Sequence, residues 1–201
     1  TSDFVLYARW TANTLAVTLD SQGGSSISDV STTTDGTVAD PGAPTRAGYA
    51  FVGWRAASGA SVTYPYTHGE ITDFTLYARW TANTLAVTLD AQGGSSIADL
   101  STTTGGTLAD PGAPIRVGYQ FDGWYTAATG GTLVTWPYTH GESDDFTVYA
   151  RWSKILAVSY DTGAGSSIAT TMTTTGGSVA NPDRPTLSGY AFAGWYTEAS
   201  S

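Results

Sequence analysis

Two histidines stand at the same place in two related strings, Pro65-Tyr66-Thr67-His68-Gly69-Glu70 and Pro137-Tyr138-Thr139-His140-Gly141-Glu142. A His two residues from a Glu has the side chains for metal ligation or for acid–base work. One His and one carboxylate are too few for a zinc site, so the expectation is a turn carrying a surface pair. Asp144-Asp145, Asp73 and Asp3 each precede a recurring strand-like string. They offer oxygens for calcium between units, but calcium takes about six or more, and turn capping is the expectation. Serines abound, as in Gly24-Ser25-Ser26 and Gly94-Ser95-Ser96, yet there is no Gly-x-Ser-x-Gly elbow. The glycine strings lack the Lys and following helix of a phosphate loop. No catalytic, cofactor-binding or metal-binding residue is assigned, and the chain does not read as an enzyme.

The aromatics allow one more kind of site. Trp54, Trp124 and Trp195, with Tyr49, Tyr119 and Tyr190, would serve as sugar-stacking platforms if exposed. A small unit without cysteine needs large anchors inside, so a core role is expected. The residues between these positions vary (Val52, Asp122, Ala193), as on a solvent-facing strand side.

Composition narrows the field further. The 201 residues carry 8 Lys plus Arg against 17 Asp plus Glu, a formal net charge of -9. That balance gives no electrostatic footprint for nucleic acid. No run of about 18 apolar residues occurs, so no membrane insertion is expected. The absence of Cys removes thiol catalysis, zinc fingers and disulfide scaffolds. With 41% hydrophobic and 12% aromatic residues, the chain has the means to build cores.

The elements that position these residues recur. WTANTLAVTLD occupies 10–20 and again 80–90, a period of about 70 residues. Gly48-Tyr49-Ala50-Phe51-Val52-Gly53-Trp54 returns at 118–124 and 189–195, and Phe-x-Leu/Val-Tyr-Ala-Arg-Trp occurs at 4–10, 74–80 and 146–152. Cutting at the final Trp gives a closing strand of a preceding repeat at 1–10, unit 1 at 11–80, unit 2 at 81–152 and an incomplete unit 3 at 153–201. Leu15, Val17 and Leu19 alternate with polar neighbours, as do Phe74, Leu76, Ala78 and Trp80, which marks half-buried strands. Asp35-Gly36, Gly105-Gly106 and Gly176-Gly177 favour tight hairpin turns. Asp40-Pro41-Gly42-Ala43-Pro44 and its matches form rigid connections. Tyr119, Phe121 and Gly123 alternate likewise, and the glycine there admits a bulge or a close-packed aromatic. No helical period runs beyond a turn or two. Each unit reads as mainly β with four or five strands, and Thr81-Ala82-Asn83-Thr84 is too short a linker to allow wide swings.

The assembled pattern resembles the Listeria–Bacteroides repeat, or internalin B-repeat, of bacterial surface proteins. The carriers are Gly-Tyr-x-Phe-x-Gly-Trp and Leu-Tyr-Ala-Arg-Trp at matching spacing across two complete and two partial copies. The resemblance implies a tandem array of β-grasp-like domains, an extracellular, cell-surface or cell-wall location, and a stalk with occasional adhesive roles. It supplies no catalytic residues and no cofactor. The third copy departs from the others, with Leu187 where Arg46 and Arg116 stand.

Two functional expectations follow. The first is a structural stalk or filament whose partners are neighbouring repeats or copies of itself. Phe4, Leu6, Ala8 and Trp10 are the candidate strand-donation interface, since one molecule's segment 1–10 would supply a closing strand to the 153–201 unit of the next, though not a counterpart of Tyr64–Ile71; the alternative, which the sequence favours, is that the chain is a window on a longer array. The second is an adhesin that grips glycan or a host surface protein through exposed aromatics such as Tyr77 and Tyr149.

Overall fold

In a computed structural model of the chain, residues 3–197 are described. The first two residues of segment 1–10 and the last four of segment 153–201 lie outside them. The regular structure is all β, and no helix occurs among the described residues. The chain divides into two compact units: Thr1–Val87 with Ser101–Leu108 and Pro137–Phe146, and Thr88–Leu100 with Ala109–Trp136 and Thr147–Ser201.

The first unit is built on a four-stranded mixed sheet of β1 (Thr14–Asp20), β2 (Val30–Thr33), β4 (Tyr49–Ala56) and β6 (Phe74–Ala82), in the order β2-β1-β6-β4. The central pair β1–β6 is parallel, with Val17 opposite Phe74 and Leu19 opposite Leu76. The two outer pairs are antiparallel. Alternation does its expected work: Leu15, Val17 and Leu19 are buried while their neighbours Ala16 and Thr18 are exposed. Val17 and Leu19 meet Leu76 and Ala78 of β6, Val38 and Trp54 in one core. Gly53 breaks the β4–β6 register at φ 141°, a conformation that side chains disfavour, so the glycine bulge is present.

The turn at Asp35-Gly36 closes on itself, with Gly36 N–H donating to the Thr33 carbonyl at 2.8 Å. It does not make a two-stranded hairpin. β3 (Thr37–Val38) leaves the sheet and pairs instead with β5 (Tyr66–Thr67). That switch turns Val38 into the core.

The same devices recur along the second copy. β7 (Thr84–Asp90) has the sequence and burial alternation of β1. β7 lies in the order β10-β12-β7-β8 with β8 (Leu100–Thr103), β10 (Tyr119–Tyr125) and β12 (Phe146–Val158), and β13 (Thr171–Thr174) also pairs with β12. β9 (Thr107–Leu108) and β11 (Tyr138–Thr139) form the small ribbon. Gly123, at φ 124°, repeats the bulge.

The joins between copies contain almost no free chain. β6 and β7 are separated by Asn83 alone. Asn83 N–H and Thr104 Oγ1 both donate to the Gly48 carbonyl, at 2.9 and 2.7 Å, and Thr104 N–H donates to the Asn83 carbonyl at 3.0 Å. Only glycine fits at 48: its φ is +74°, and a Cβ would sit 2.6 Å from the Thr104 methyl. The second join is one residue shorter, since Trp152 and Leu156 stand four apart where Trp80 and Leu85 stand five. There the strand has no break. β12 runs 13 residues, closing the second copy and opening the third.

The third copy is the least covered. Leu156 is 38% exposed, whereas its counterpart Leu15 is 3% exposed. After β13, among the described residues, its backbone pairing in strand fashion is the single bridge Leu187–Tyr190.

Candidate functional site

The feature that each copy organises most carefully is a slot for the last Trp of the closing strand. In the first copy the Trp80 indole N–H donates to the Ser21 carbonyl at 2.9 Å. The ring meets Phe51 edge-on at 5.5 Å, and Phe51 meets Trp54 at 5.7 Å. Gly24 forms the floor: a Cβ there would lie 2.5 Å from the Trp80 ring. The second copy repeats the arrangement, with Trp152 donating to Ala91 at 2.9 Å, Phe121 at 5.4 Å and Gly94 as the floor.

The wall of the slot is pinned by the serine that follows the floor glycine. Ser25 N–H donates to the Thr45 carbonyl at 2.7 Å, and Thr45 N–H donates back to Ser25 Oγ at 2.9 Å. Ser95 and Ile115 do the same, as do Ser166 and Thr186. These serines are latches, a role that no catalytic motif would reveal. Arg46 then crosses to the Gln22 carbonyl at 3.2 Å and lies over the Tyr49 ring at 4.0 Å. Arg116 repeats this with Gln92 and Tyr119. At the Leu187 position the third copy lacks that cation yet keeps the Ser166 latch.

The residues with chemical potential fall into structural places. His68 and His140 are not a surface pair. They are 5% and 4% exposed. The reason is parity carried one residue past β5: Tyr66 is half-buried, Thr67 exposed and His68 buried, and His68 packs 4.8 Å from Phe74. Nδ1 accepts the backbone N–H of Glu70 at 3.2 Å, and Nε2 lies 3.3 Å from Thr32 Oγ1. The Glu70 and Glu142 side chains are exposed. Among the described residues no group of three or more His, Cys, Asp or Glu is placed to hold a metal.

The aspartates cap, but not their own turns. Asp73 Oδ1 accepts the Ala16 N–H at 2.8 Å, and Asp145 Oδ1 accepts the Ala86 N–H at 2.8 Å. Asp73 thereby adds a rung ahead of the parallel β1–β6 pair. Asp29 and Asp99 take the N–H groups of Leu19 and Leu89, both at 2.9 Å, and were not singled out by the sequence pattern. Asp3 is exposed.

Trp54 and Trp124 are core anchors, 2% and 1% exposed, with their indole N–H groups on the Gly42 and Gly112 carbonyls. Tyr49 and Tyr119 are half-buried under their arginines, and Tyr190 is exposed. Trp195 is half-buried, and its buried indole N–H has no partner. Tyr77 is exposed and Tyr149 half-buried. Phe4, Leu6, Ala8 and Trp10 are exposed and form no strand, with Trp10 at 93%. Tyr64 is half-buried with its hydroxyl enclosed and unbonded. Burial first, then Asp40 and Tyr66, push its pKa up to about 12.

The repeats have counterparts elsewhere. A "Putative Gly-rich membrane protein" of Evansella cellulosilytica is 29% identical over 98% of this chain and 23% of its own length. A "Putative membrane protein" of the same organism is 30% identical over 98% of the chain and 31% of its own length. "Internalin H" of Listeria monocytogenes is 35% identical over 58% of the chain and 21% of its own length. The chain thus spans less than a third of each of these relatives. The model of the Listeria-Bacteroides repeat domain matches three times, at residues 16–79, 86–151 and 157–201. The chain therefore belongs to the Listeria-Bacteroides repeat family.

Proposed function

We propose that this chain is an extracellular structural repeat region of a bacterial surface protein, a stiff stalk of small β-grasp-like units cut at 11–80, 81–152 and 153–201. The observation that carries the reading is the build of the joins. Asn83 is the one residue between β6 and β7, and β12 has no break at all. Short joins tied by backbone hydrogen bonds limit bending in a way that a Gly/Ser linker would not. The β-grasp-like description is supported by the β2-β1-β6-β4 order with its parallel central pair. The surface location is supported by the names of the relatives, two membrane proteins and an internalin. No described helix is long and apolar enough to cross a membrane.

Small-angle scattering on chains of increasing copy number tests the stalk. The expected result is a maximum dimension that grows by roughly 30 Å per added copy, the diameter of a unit this size. Growth well below that would reject a spacer. An adhesive role has narrower support, because Trp54 and Trp124 are buried and Tyr77 is the exposed aromatic on β6. Saturable glycan or host-protein binding that Tyr77→Ala abolishes would favour the adhesin.

A further inference from the structure

The arginines of the two copies at 11–152 are used in two ways. Arg46, Arg116 and Arg151 are held by their own chain. The first two lie over Tyr49 and Tyr119 and donate to the Gln22 and Gln92 carbonyls. Arg151 lies over the Tyr125 ring at 4.0 Å and donates to the Ala127 and Gly130 carbonyls. Arg55 and Arg79 are different. Among the described residues neither guanidinium makes a hydrogen bond, an ion pair or a ring contact.

These two stand side by side. In the antiparallel β4–β6 pair, Arg55 lies opposite Tyr77 and Gly53 opposite Arg79. Trp54 and Ala78, between them, point into the core, so Arg55, Tyr77 and Arg79 share the outer face. Diagonal neighbours on such a face have Cβ atoms about 7–8 Å apart, close enough for two long side chains to converge on one group. Arg55 Nε is enclosed and unbonded, so packing holds that side chain against the sheet. Two like charges held this close repel each other. The chain carries a net charge of -9, yet no described carboxylate pairs with either.

The second copy shows the same place filled by the chain itself. Arg151 stands for Arg79, Tyr125 for Arg55 and Leu133 for Ser61. A Cβ on Gly123 would meet Leu133 at 2.5 Å, whereas one on Gly53 would meet nothing within 4 Å. Between Trp124 and Pro137 lie 12 residues, against 10 between Trp54 and Pro65, and the longer loop supplies the carbonyls on Arg151. The first copy has the cations without the ring, the leucine or the carbonyls.

We propose that the outer face of β4 and β6 in the first copy binds an acidic glycan. The carboxylate or sulfate of one sugar accepts from Arg55 and Arg79 and offsets their repulsion, since the guanidinium fork suits either oxyanion. The sugar ring lies on Tyr77, the exposed aromatic beside them. Gly53 and Ser61 leave the face low enough for that approach. The proposal gives the adhesive reading of Tyr77 its ligand class and rests on that reading. The stalk stands without it.

Isothermal titration calorimetry on the full chain is the test. Four probes of similar length are used: a dextran sulfate fragment, an oligogalacturonate, neutral dextran and an oligoglutamate peptide. Saturable binding of dextran sulfate, the oligogalacturonate or both is expected, weakening as salt rises, and which of them binds identifies the acid group. Arg55→Gln and Arg79→Gln are each expected to weaken it about tenfold, the worth of one charge-assisted hydrogen bond. Arg184→Gln, which removes the same charge from an exposed site in the third copy, is expected to bind like wild type. Arg79 is itself exposed, so its loss of binding would not come from misfolding. No heat with either acidic glycan at millimolar concentration overturns the proposal. So does an equal loss in Arg184→Gln, which would mean diffuse charge attraction, and so does oligoglutamate binding as tightly as the glycans. Binding of neutral dextran that Tyr77→Ala abolishes, with both arginine variants unaffected, would overturn it while keeping the adhesive reading.

Discussion

At the residue scale the molecule spends its distinctive side chains on fixing backbone. Ser25 latches a loop, Asp73 adds a rung to a neighbouring strand, and His68 fills the space between Phe74 and Thr32. Gly24 matters for the space it leaves open to Trp80. Gly24→Ala is expected to cost about 1–3 kcal/mol through overpacking, read as a lowered melting temperature. Gly69→Ala, with nothing near its Cβ, is expected to stay within about 0.5 kcal/mol. Tyr64 gives a pH signature. Its folded pKa of about 12 lies above its ordinary value, so the protonated phenol is the form the fold favours. Its contribution is fully present below the ordinary tyrosine value of about 10 and is lost as pH rises toward 12. Tyr64→Phe is expected to remove that alkaline loss, measured as melting temperature against pH. The second copy already carries Trp136 at this position and needs no phenol there.

At the scale of elements, faces were legible and neighbours were not. Alternation told which residues of β1 and β6 point inward, because a strand's period is two and one face meets the core. It could not tell that β1 and β6 lie side by side in parallel, because that pairing joins residues far apart in the chain. Glycine inside the strand pattern at Gly123 left a bulge or a close-packed aromatic open, and the register shifts there and at Gly53 are bulges. The inward turn of His68 was not, since a two-residue ribbon such as β5 is too short to show a period. The capping aspartates were visible as a motif but their targets were not, for the same long-range reason. Two adjacent carboxylates separate the roles. Asp145→Ala is expected to cost about 1–2 kcal/mol, through the lost bond to the Ala86 N–H. Asp144→Ala, whose exposed carboxylate accepts a bond from the neighbouring Ser143 Oγ, is expected to cost less than about 0.5 kcal/mol. Urea unfolding of both variants checks the contrast.

At the scale of the whole molecule, the first two copies are tied by hydrogen bonds among Gly48, Asn83 and Thr104. The period near 70 residues was plain in the sequence, and the family match confirms it. The way copies join was not, because the bonds run between residues with no local signature. Gly48 is the clearest case. The sequence presents it as the start of an aromatic motif, while the structure has its carbonyl accept from both Asn83 and Thr104. A stalk depends on those bonds persisting in solution. Amide hydrogen exchange at Asn83 and Thr104 measures this directly. The account predicts protection of the same order as the amides of β1 and β6. Exchange at the unprotected rate in those two amides, while β1 and β6 stay protected, would contradict it.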